Sequence, residues 1–282
     1  MAQLPTLKDD GLVTEEIGDW GQEKYRLLSL YAQMFAASMK NKWNCRVYID
    51  LFAGSGRSRV KGTNRIVAGS PLVALGVDPS FDKYIFCEKD QDKLLALKTR
   101  VARDYHDANV AFQPGDANVA ITDILQKIPQ YAKDFRVLSF CFVDPYNLKD
   151  LAFDTIDRLS KLFVDFLVLI ATDMDAARNV SKYELSQSDV VERFLGVPTW
   201  RAEWRLAKDR REGFSSYLRQ RFSDQMEARG YISAPIGETK LVRSTEKNLP
   251  LYRLALFSRH QRGKNFWEQA KSYSDNQLGF KY

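Results

Sequence analysis

Residues 48–56 read Tyr-Ile-Asp-Leu-Phe-Ala-Gly-Ser-Gly, an apolar run that ends in Asp50 and passes directly into the turn Gly54-Ser55-Gly56. This pattern predicts a β-strand whose carboxyl end leads into a loop where the backbone can approach a ligand closely. In open α/β sheets, nucleotide-like ligands bind at such carboxyl ends. The stretch therefore predicts an α/β fold with a ligand site after its first core strand.

Strands and helices alternate outward from this stretch. Two late apolar runs, 239–244 and 252–258, have nothing helical between them and should pair antiparallel. The order predicts an α/β, Rossmann-like fold with a mostly parallel seven-stranded sheet and a C-terminal antiparallel hairpin. The other strands are predicted at 46–51, 84–87, 110–113, 137–143 and 164–170, and the helices at 20–43, 70–76, 90–105, 118–128, 153–162 and 213–229.

The chain is expected to form one domain with two insertions. Residues 1–45 are predicted to give a polar, partly loose start (1–19) and an amphipathic helix that packs on the core. Residues 46–282 are predicted to form the core domain itself. A basic insertion at 57–69 and a long helical or irregular insertion at 173–212 interrupt its alternation of strands and helices.

The composition excludes several classes of protein. A length of 282 residues with 45% apolar residues supports one sizeable core. The formal charge of +6 and the pI near 9.1 allow a polyanionic partner without requiring one. Neither residues 1–10 nor the longest apolar run, 166–171, has the pattern of a signal peptide or a membrane span. We therefore expect a cytoplasmic protein that does not bind membranes.

The cysteines and histidines do not indicate a metal or redox site. Cys45, Cys87 and Cys141 lie in or beside apolar runs and lack Cys-x-x-Cys spacing. They are expected to be small buried hydrophobic side chains without a disulfide. His106 and His260 are isolated from each other, so the sequence predicts no metal site.

Four acids follow or close predicted strands, in the order Asp50, Glu88, Asp116 and Asp144. The form Asp-x-Phe-Ala-Gly-Ser-Gly resembles motif I of S-adenosylmethionine-dependent methyltransferases, especially those that methylate amino nitrogens of nucleic-acid bases. This resemblance implies that Glu88 accepts both ribose hydroxyls, that Asp116 accepts the adenine amino group, and that the Ala117 amide donates to a ring nitrogen. The amino-acid end and the sulfonium of the cofactor would lie against Asp50, Phe52, Ala53, Gly54, Ser55 and Gly56.

The spacing between the glycine turn and Glu88 supports this assignment after one correction. The ribose acid is usually about 20 residues past the glycine loop. Glu88 lies 32 residues past Gly56, but the helix that should follow the loop begins only at Ser70-Pro71. Setting aside residues 57–69 leaves a separation of 19. The segment is therefore interpreted as an insertion.

Other nucleotide-binding motifs do not fit. Gly54-x-Gly56-x-x-Arg59 lacks the third glycine of a dinucleotide fingerprint, and no Gly-Lys-Ser/Thr follows it as in a P-loop. A tight strand-to-helix turn that binds no ligand remains the structural alternative.

Asp144-Pro145-Tyr146 is the candidate catalytic motif. It resembles the (Asp/Asn)-Pro-Pro-(Tyr/Phe) motif of amino-methyltransferases, and more closely the Asp-Pro-(Phe/Tyr)-Gly form of some tRNA guanine-amine methyltransferases. By that resemblance, the Asp144 carboxylate and the Pro145 carbonyl would accept both protons of an exocyclic amine, and Tyr146 would stack on the base. Asn147 stands where the tRNA enzymes have glycine. The alternative is an Asp-Pro turn that only ends a strand.

Two basic clusters bear on the substrate. Within the insertion, Arg57, Arg59, Lys61 and Arg65 occur without an acid between them and could contact a phosphate backbone, although an ordinary surface segment is equally compatible. Near the C-terminus, a second basic cluster precedes Phe266-Trp267, an aromatic pair that is either a base platform or part of the core.

The whole chain from about residue 20 resembles the three-Cys-motif partner (TcmP) family. The resemblance rests on Trp20…Lys24…Tyr31, the motif around Asp50, Gly69-Ser70-Pro71, Phe142-Val-Asp-Pro-Tyr146, and Leu251-Tyr252…Ser258-Arg-His-x-x-Gly263…Phe266-Trp267. Members are similar to class I methyltransferases and tend to be encoded beside a three-Cys-motif protein that resembles a radical, iron–sulfur enzyme. The resemblance implies the fold, S-adenosylmethionine as cofactor, and that neighbour as a partner.

Two functions follow. The first is an S-adenosylmethionine-dependent amino-methyltransferase that acts on a base of DNA or RNA. The second is a non-catalytic accessory protein that uses the same fold to bind nucleic acid or its three-Cys-motif partner. Cofactor binding distinguishes the two.

Overall fold

A computed structural model describes residues 4–172, 176–185, 187–232, 239–244 and 248–279 of the chain. Its strands are β1 (Glu15–Ile17), β2 (Cys45–Asp50), β3 (Arg57–Val60), β4 (Ile66–Ala68), β5 (Lys83–Glu88), β6 (Val110–Pro114), β7 (Val137–Val143), β8 (Val164–Ile170), β9 (Lys240–Arg243) and β10 (Pro250–Phe257). Its helices are α1 (Gly21–Met39), α2 (Ser70–Leu75), α3 (Gln91–Asp104), α4 (Ile121–Lys127), α5 (Phe153–Ser160), α6 (Ala177–Glu184), α7 (Val190–Leu195), α8 (Trp200–Asp209), α9 (Phe214–Glu227) and α10 (Gln261–Gly279). None of the helices described is long and apolar enough to cross a membrane.

Seven strands form the central sheet in the order β6-β5-β2-β7-β8-β10-β9. The pairs from β6 to β8 are all parallel, whereas β10 runs antiparallel to both of its neighbours, β8 and β9. This confirms the predicted fold class, including the antiparallel strands at the C-terminal end. Because the strand order reverses at β2, its carboxyl end lies at the crevice where ligands bind in such sheets.

Helices cover both faces of the sheet, so the core has two halves. Alternate residues of one strand enter different halves: Val47 and Ile49 of β2 face one, and Tyr48 faces the other. Large aromatic side chains such as Phe140 and Phe142 fill the half beneath α1 and α10. The three cysteines are buried free thiols in the opposite half, as the sequence predicts.

From residue 4 onward the N-terminal segment packs against the rest of the chain, where the sequence predicted a partly loose start at 1–19. Residues 1–3 lie outside the described residues. Strand β1 pairs parallel with β3, and β3 pairs antiparallel with β4, so that residues 57–68 form a hairpin within a small three-stranded sheet. Arg100 of α3 holds the segment because its fully buried guanidinium donates to both carboxylate oxygens of Asp10, at 3.0 and 2.7 Å. It also donates to the Val13 carbonyl at 2.9 Å.

Helices make up most of the described part of the second insertion and residues 261–279. In place of one long segment at 173–212, the structure has the separate helices α6, α7 and α8, while residues 173–175 and 186 lie outside the described residues. Helix α10 was not predicted. It buries Trp267 at 1% exposure against α1, so this ring belongs to the core and is not available as a base platform.

We expect Asp165, a partly buried carboxyl group beside the core, to make the stability of the fold depend on pH. Asp165 of β8 accepts hydrogen bonds from Tyr31 (3.2 Å) and Ser258, but its burial outweighs them and raises its pKa to about 6. Because the pKa is raised in the folded state, Asp165 contributes its full stabilisation of the fold only below its ordinary pKa of 3.8. This stabilisation is lost as the pH rises to about 6.

We therefore expect the Asp165→Asn variant to lose this dependence. From pH 4 to pH 6.5 the free energy of unfolding of the variant should rise relative to that of the wild type. The rise should be at most about 3 kcal/mol, and solvent screening should make it smaller. Urea unfolding at a series of pH values measures it. A difference that stays constant across this range would contradict the assignment.

Candidate functional site

The four acids named from the sequence lie side by side at the carboxyl edge of the sheet. Asp50 pairs in register with Phe86 on β5 and Phe142 on β7, so Glu88 and Asp144 each lie two residues further along the flanking strands. Asp116 follows β6, whose Pro114 pairs with Glu88. Along the edge the order is Asp116, Glu88, Asp50, Asp144, and at about 4.8 Å per strand the row spans about 14 Å.

The loop after Asp50 needs its glycines. Gly54 and Gly56 have φ angles of +63° and +82°, which side-chain-bearing residues rarely adopt. A Cβ atom on Gly54 would lie 2.0 Å from the Glu15 carboxylate, and one on Gly56 would lie 2.7 Å from Leu97. Both positions thus combine a left-handed backbone with a close approach of neighbouring side chains.

The hairpin 57–68 leaves the loop and returns to it at the same point. The Gly69 amide donates to the Gly56 carbonyl at 2.8 Å, and helix α2 begins at the next residue. A Cβ atom on Gly69 would lie 3.1 Å from the Gly56 backbone. The hairpin therefore projects from the loop. Because its two ends meet, α2 begins beside the glycine turn as it would if the hairpin were absent.

The loop amides already hold carboxylates of this chain. The Gly54 amide donates to Glu88 Oε2 at 2.7 Å, and the Ser55 amide donates to Glu15 Oε1 at 3.0 Å. Glu88 Oε1 also accepts the Asp90 amide at 2.8 Å. The Phe52 and Ala53 amides donate to Asp50 Oδ1 and to the Cys87 carbonyl. Acceptors therefore line the loop on both sides, and this surface favours a cationic ligand group.

Asp50 is fully buried at the base of the loop. Burial raises its pKa to about 7, although hydrogen bonds from the Ser70 side chain and the Phe52 amide act in the opposite direction. The neighbouring charge of Asp144 contributes to the rise. Asp50 therefore changes its protonation state near neutral pH.

The Asp116 end of the row is more open. The Asn118 amide and side chain both donate to Asp116 Oδ1, at 2.8 and 2.9 Å, which fixes this carboxylate and leaves Oδ2 for other donors. Gly115 has a φ of +114°, and nothing lies within 4 Å of where its Cβ would be. Beside it, Ala117 is buried. The backbone at Gly115 is therefore open next to a fixed acceptor.

At the other end of the row, Asp144 pairs with a lysine that the sequence analysis did not assign to the site. The Lys24 ammonium of α1 lies 2.5 Å from Asp144 Oδ2, and the lysine side chain is only 14% exposed. Burial is the largest single influence on the pKa of Lys24 and lowers it. The charge and hydrogen bond of Asp144, together with the neighbouring Tyr25 and Tyr252, outweigh burial, so the net direction is upward. Lys24 thus binds Oδ2 of Asp144, and Oδ1 remains available to another donor.

Tyr146 differs from the rest of the motif in being 93% exposed, whereas Pro145 is buried. The ring therefore stands free in solvent, on a residue two positions after Asp144. The buried Oδ1 atom of Asn147 has no hydrogen-bond partner among the described residues. The edge next to Asp144 consequently offers an open aromatic face and an unused acceptor.

The basic cluster of the insertion is largely paired within the chain. Arg57 is buried and lies 3.0 Å from Asp10 and 3.6 Å from Asp104. Arg59 pairs with Asp9 at 2.6 Å.

The other two cations of this cluster differ in their contacts. Arg65 contacts Gln22 and Thr6, and Lys61 is exposed. The acids that pair with Arg57 and Arg59 come from other parts of the sequence, so a local count of charges did not reveal them.

The described residues away from the acid row form no metal cluster and border a cavity. Within the described ranges, no group of three or more His, Cys, Asp or Glu side chains is placed to hold a metal ion. A cavity of about 580 Å³ opens beside Val137, Tyr131 and Phe163, at the amino ends of β7 and β8. It lies at the edge of the sheet opposite the acid row.

Several solved structures are similar to this chain. They include protein LPL1258 from Legionella pneumophila (13% identity, 88% of this chain and 91% of that one, TM-score 0.49). They also include M. jannaschii TYW2 in complex with AdoMet (11% identity, 90% and 86%, TM-score 0.43) and an O-methyltransferase from Bacillus cereus in complex with SAH (9% identity, 82% and 80%, TM-score 0.48). No family model and no curated protein matches the chain.

Proposed function

We propose that this protein is an S-adenosylmethionine-dependent amino-methyltransferase that acts on a nucleic-acid base. The observation that carries the proposal is the row Asp116, Glu88, Asp50, Asp144 along one sheet edge. The motif resemblance implies that these acids contact, in the same order, the adenine, the ribose and the amino-acid end of the cofactor and then the amine of the substrate. The resemblance to the three-Cys-motif partner family supports the same cofactor.

The residues present fit this cofactor. The backbone at Gly115 is open, with nothing within 4 Å of where its Cβ atom would lie, and this leaves room for the cofactor beside Asp116. Glu88 and Asp116 would hold the ribose and the adenine, and Asp50 would lie beneath the loop. When bound, S-adenosylmethionine would supply an electrophilic methyl group on a positively charged sulfur. The acids around the loop favour that positive charge.

On the substrate side, Asp144 and Pro145 activate and position the amine. An exocyclic amine is a weak nucleophile because its lone pair is delocalised into the base. Hydrogen bonds from its protons to Asp144 Oδ1 and the Pro145 carbonyl would localise that pair. Lys24 would keep the carboxylate in one orientation through Oδ2. Much of the rate gain would come from this alignment.

A nucleic-acid base is the favoured substrate because Tyr146 is an exposed aromatic ring beside the amine site. Base–aromatic stacking contributes about 1–3 kcal/mol per base. A base in a duplex would first have to leave the stack, which costs a few kcal/mol, so a single-stranded or looped base is favoured. Lys61 and Arg65 on the hairpin would supply the phosphate contacts, because Arg57 and Arg59 are already paired with acids of this chain.

Transfer of a labelled methyl group tests the proposal. Purified protein would be incubated with methyl-labelled S-adenosylmethionine and, separately, with tRNA, ribosomal RNA, single-stranded DNA and duplex DNA. We expect label in at least one pool, confined to amino-methylated bases. Absence of label from every pool, with the cofactor bound, would contradict the enzyme assignment.

A second candidate is the non-catalytic accessory protein. The observation that favours it is that Gly54, Ser55 and Asp144 all have partners within the chain. Such a protein would bind its three-Cys-motif partner or nucleic acid and would not need the cofactor. Co-purification with that partner, together with no binding of S-adenosylmethionine, would support it.

The raised pKa of Asp50 predicts how cofactor binding depends on pH. The sulfonium charge favours the ionised carboxylate, so below pH 7 binding must release a proton from Asp50. We expect the Kd for S-adenosylmethionine to fall by about tenfold from pH 6 to pH 8. S-adenosylhomocysteine, which lacks the charge, should show a smaller change, and Asp50→Asn should remove the difference between the two ligands. Equal pH dependence of both ligands in the wild type would contradict this role.

A further inference from the structure

Glu15 reaches the glycine loop from outside the core domain. It lies on β1, the strand that the N-terminal segment adds to the hairpin 57–68. Its Oε1 accepts the Ser55 amide at 3.0 Å, and it would lie 2.0 Å from a Cβ atom on Gly54. The loop and this carboxylate are therefore in direct contact, and glycine at 54 is what permits it.

The carboxylate of Glu15 is partly open and already accepts an ammonium group. Its side chain is 32% exposed, and Lys93 Nζ lies 3.0 Å from Oε2. Together with Glu88 on the Gly54 amide, it makes the surface of the loop negative. A ligand that places a primary ammonium at this loop would gain a charge-assisted hydrogen bond there.

The N-terminal segment has anchors besides Glu15. That segment is anchored separately by the two hydrogen bonds between Arg100 and Asp10 and by the backbone pairing of β1 with β3. The neighbouring Glu16 is exposed, and because successive residues of a strand face opposite sides it does not share the face of Glu15. The position of Glu15 therefore calls for a role at the loop itself.

We propose that Glu15 binds the ammonium group at the amino-acid end of the cofactor. This inference rests on the proposed function, since it takes S-adenosylmethionine as the ligand. It makes the N-terminal segment part of the cofactor site, with the loop amides and Glu15 acting on the same end of the molecule.

Calorimetric titrations with four ligands test the role of Glu15. S-adenosylmethionine, S-adenosylhomocysteine and decarboxylated S-adenosylmethionine all carry the ammonium, whereas 5′-methylthioadenosine lacks the amino-acid end. In Glu15→Gln the Kd of the first three should rise by about 10-fold or more, because a charged acceptor is lost. The Kd of 5′-methylthioadenosine should stay within about twofold, and Glu16→Gln should leave all four values unchanged.

Lys93→Met provides a second variant that leaves Glu15 intact. It removes the ammonium group that competes for Oε2, so decarboxylated S-adenosylmethionine should bind more tightly and 5′-methylthioadenosine should not. Equal losses for all four ligands in Glu15→Gln would show that Glu15 only shapes the loop, and tighter binding would show that it blocks the site. Either result overturns the inference while leaving the proposed function in place. If the wild type binds none of the four ligands, the proposed function fails and the inference fails with it.

Discussion

Replacing Asp144 with asparagine is expected to slow methyl transfer by about 10²–10⁴-fold while the cofactor remains bound. The variant keeps the shape of the side chain but loses the charge that accepts the proton of the amine. Single-turnover rates with labelled cofactor measure the loss, and calorimetry measures the retained binding. Asp154→Asn, an exposed acid in the first turn of α5, is the control and should behave as the wild type.

Because Lys24 pairs with Asp144, the same substitution should also change the stability of the protein. Asp144→Asn leaves the Lys24 ammonium without its counterion, and an uncompensated buried charge destabilises a fold strongly. The double variant Lys24→Met with Asp144→Asn should recover stability without recovering activity. Activity within about threefold of the wild type in either variant would rule out Asp144 as the group that activates the amine.

Asp10→Asn is expected to lower the free energy of unfolding by about 3–5 kcal/mol. Arg100 is fully buried, and Asp10 is the carboxylate that pairs with it, so the variant leaves a buried guanidinium uncompensated. Arg57, also buried, loses the same partner. Urea unfolding monitored by fluorescence measures the change.

The adjacent residue supplies the control for this prediction. Asp9 has the same charge but pairs on the surface with Arg59, and its replacement by asparagine should change stability little. Because Arg100 also donates to the Ser55 carbonyl at 2.7 Å, Asp10→Asn should loosen the glycine loop as well. Equal effects of the two substitutions would mean that the Asp10 network does not anchor the N-terminal segment.

The central sheet could be predicted from the sequence because its strands are long, apolar and followed by acids or turns. The strand that ends at Asp50 and the one that ends at Val143 are defined by local pattern alone. The acid row follows from the rule that parallel strands end at the same edge. Neither inference needs contacts between distant parts of the chain.

The remaining features depend on contacts that sequence spacing does not show. Strand β1 has three residues and exists only because β3 lies beside it. Asp10 and Arg100 are far apart in sequence, so the order of the N-terminal segment had no local signal. Lys24 lies on a helix whose pattern indicated only packing, yet its side chain ends at Asp144.

The pairing of the basic insertion also depends on residues that are distant in sequence. Four cations without an intervening acid resemble a phosphate-binding arm, but the fold brings Asp9, Asp10 and Asp104 to two of them. The helix α10 was missed because Phe266-Trp267 fits either a base platform or a core, and only the packing of Trp267 on α1 decides between them.

A calorimetric titration of the wild-type protein with S-adenosylmethionine tests the central claim most directly, because every role assigned to the acid row depends on this ligand. We expect saturable binding at one site, weakened by Glu88→Ala and Asp116→Ala. At 100-fold above its Kd the ligand should stabilise the fold by about 2.7 kcal/mol in a thermal unfolding experiment. No heat and no thermal shift at millimolar cofactor would contradict the account and leave the accessory-protein function as the better one.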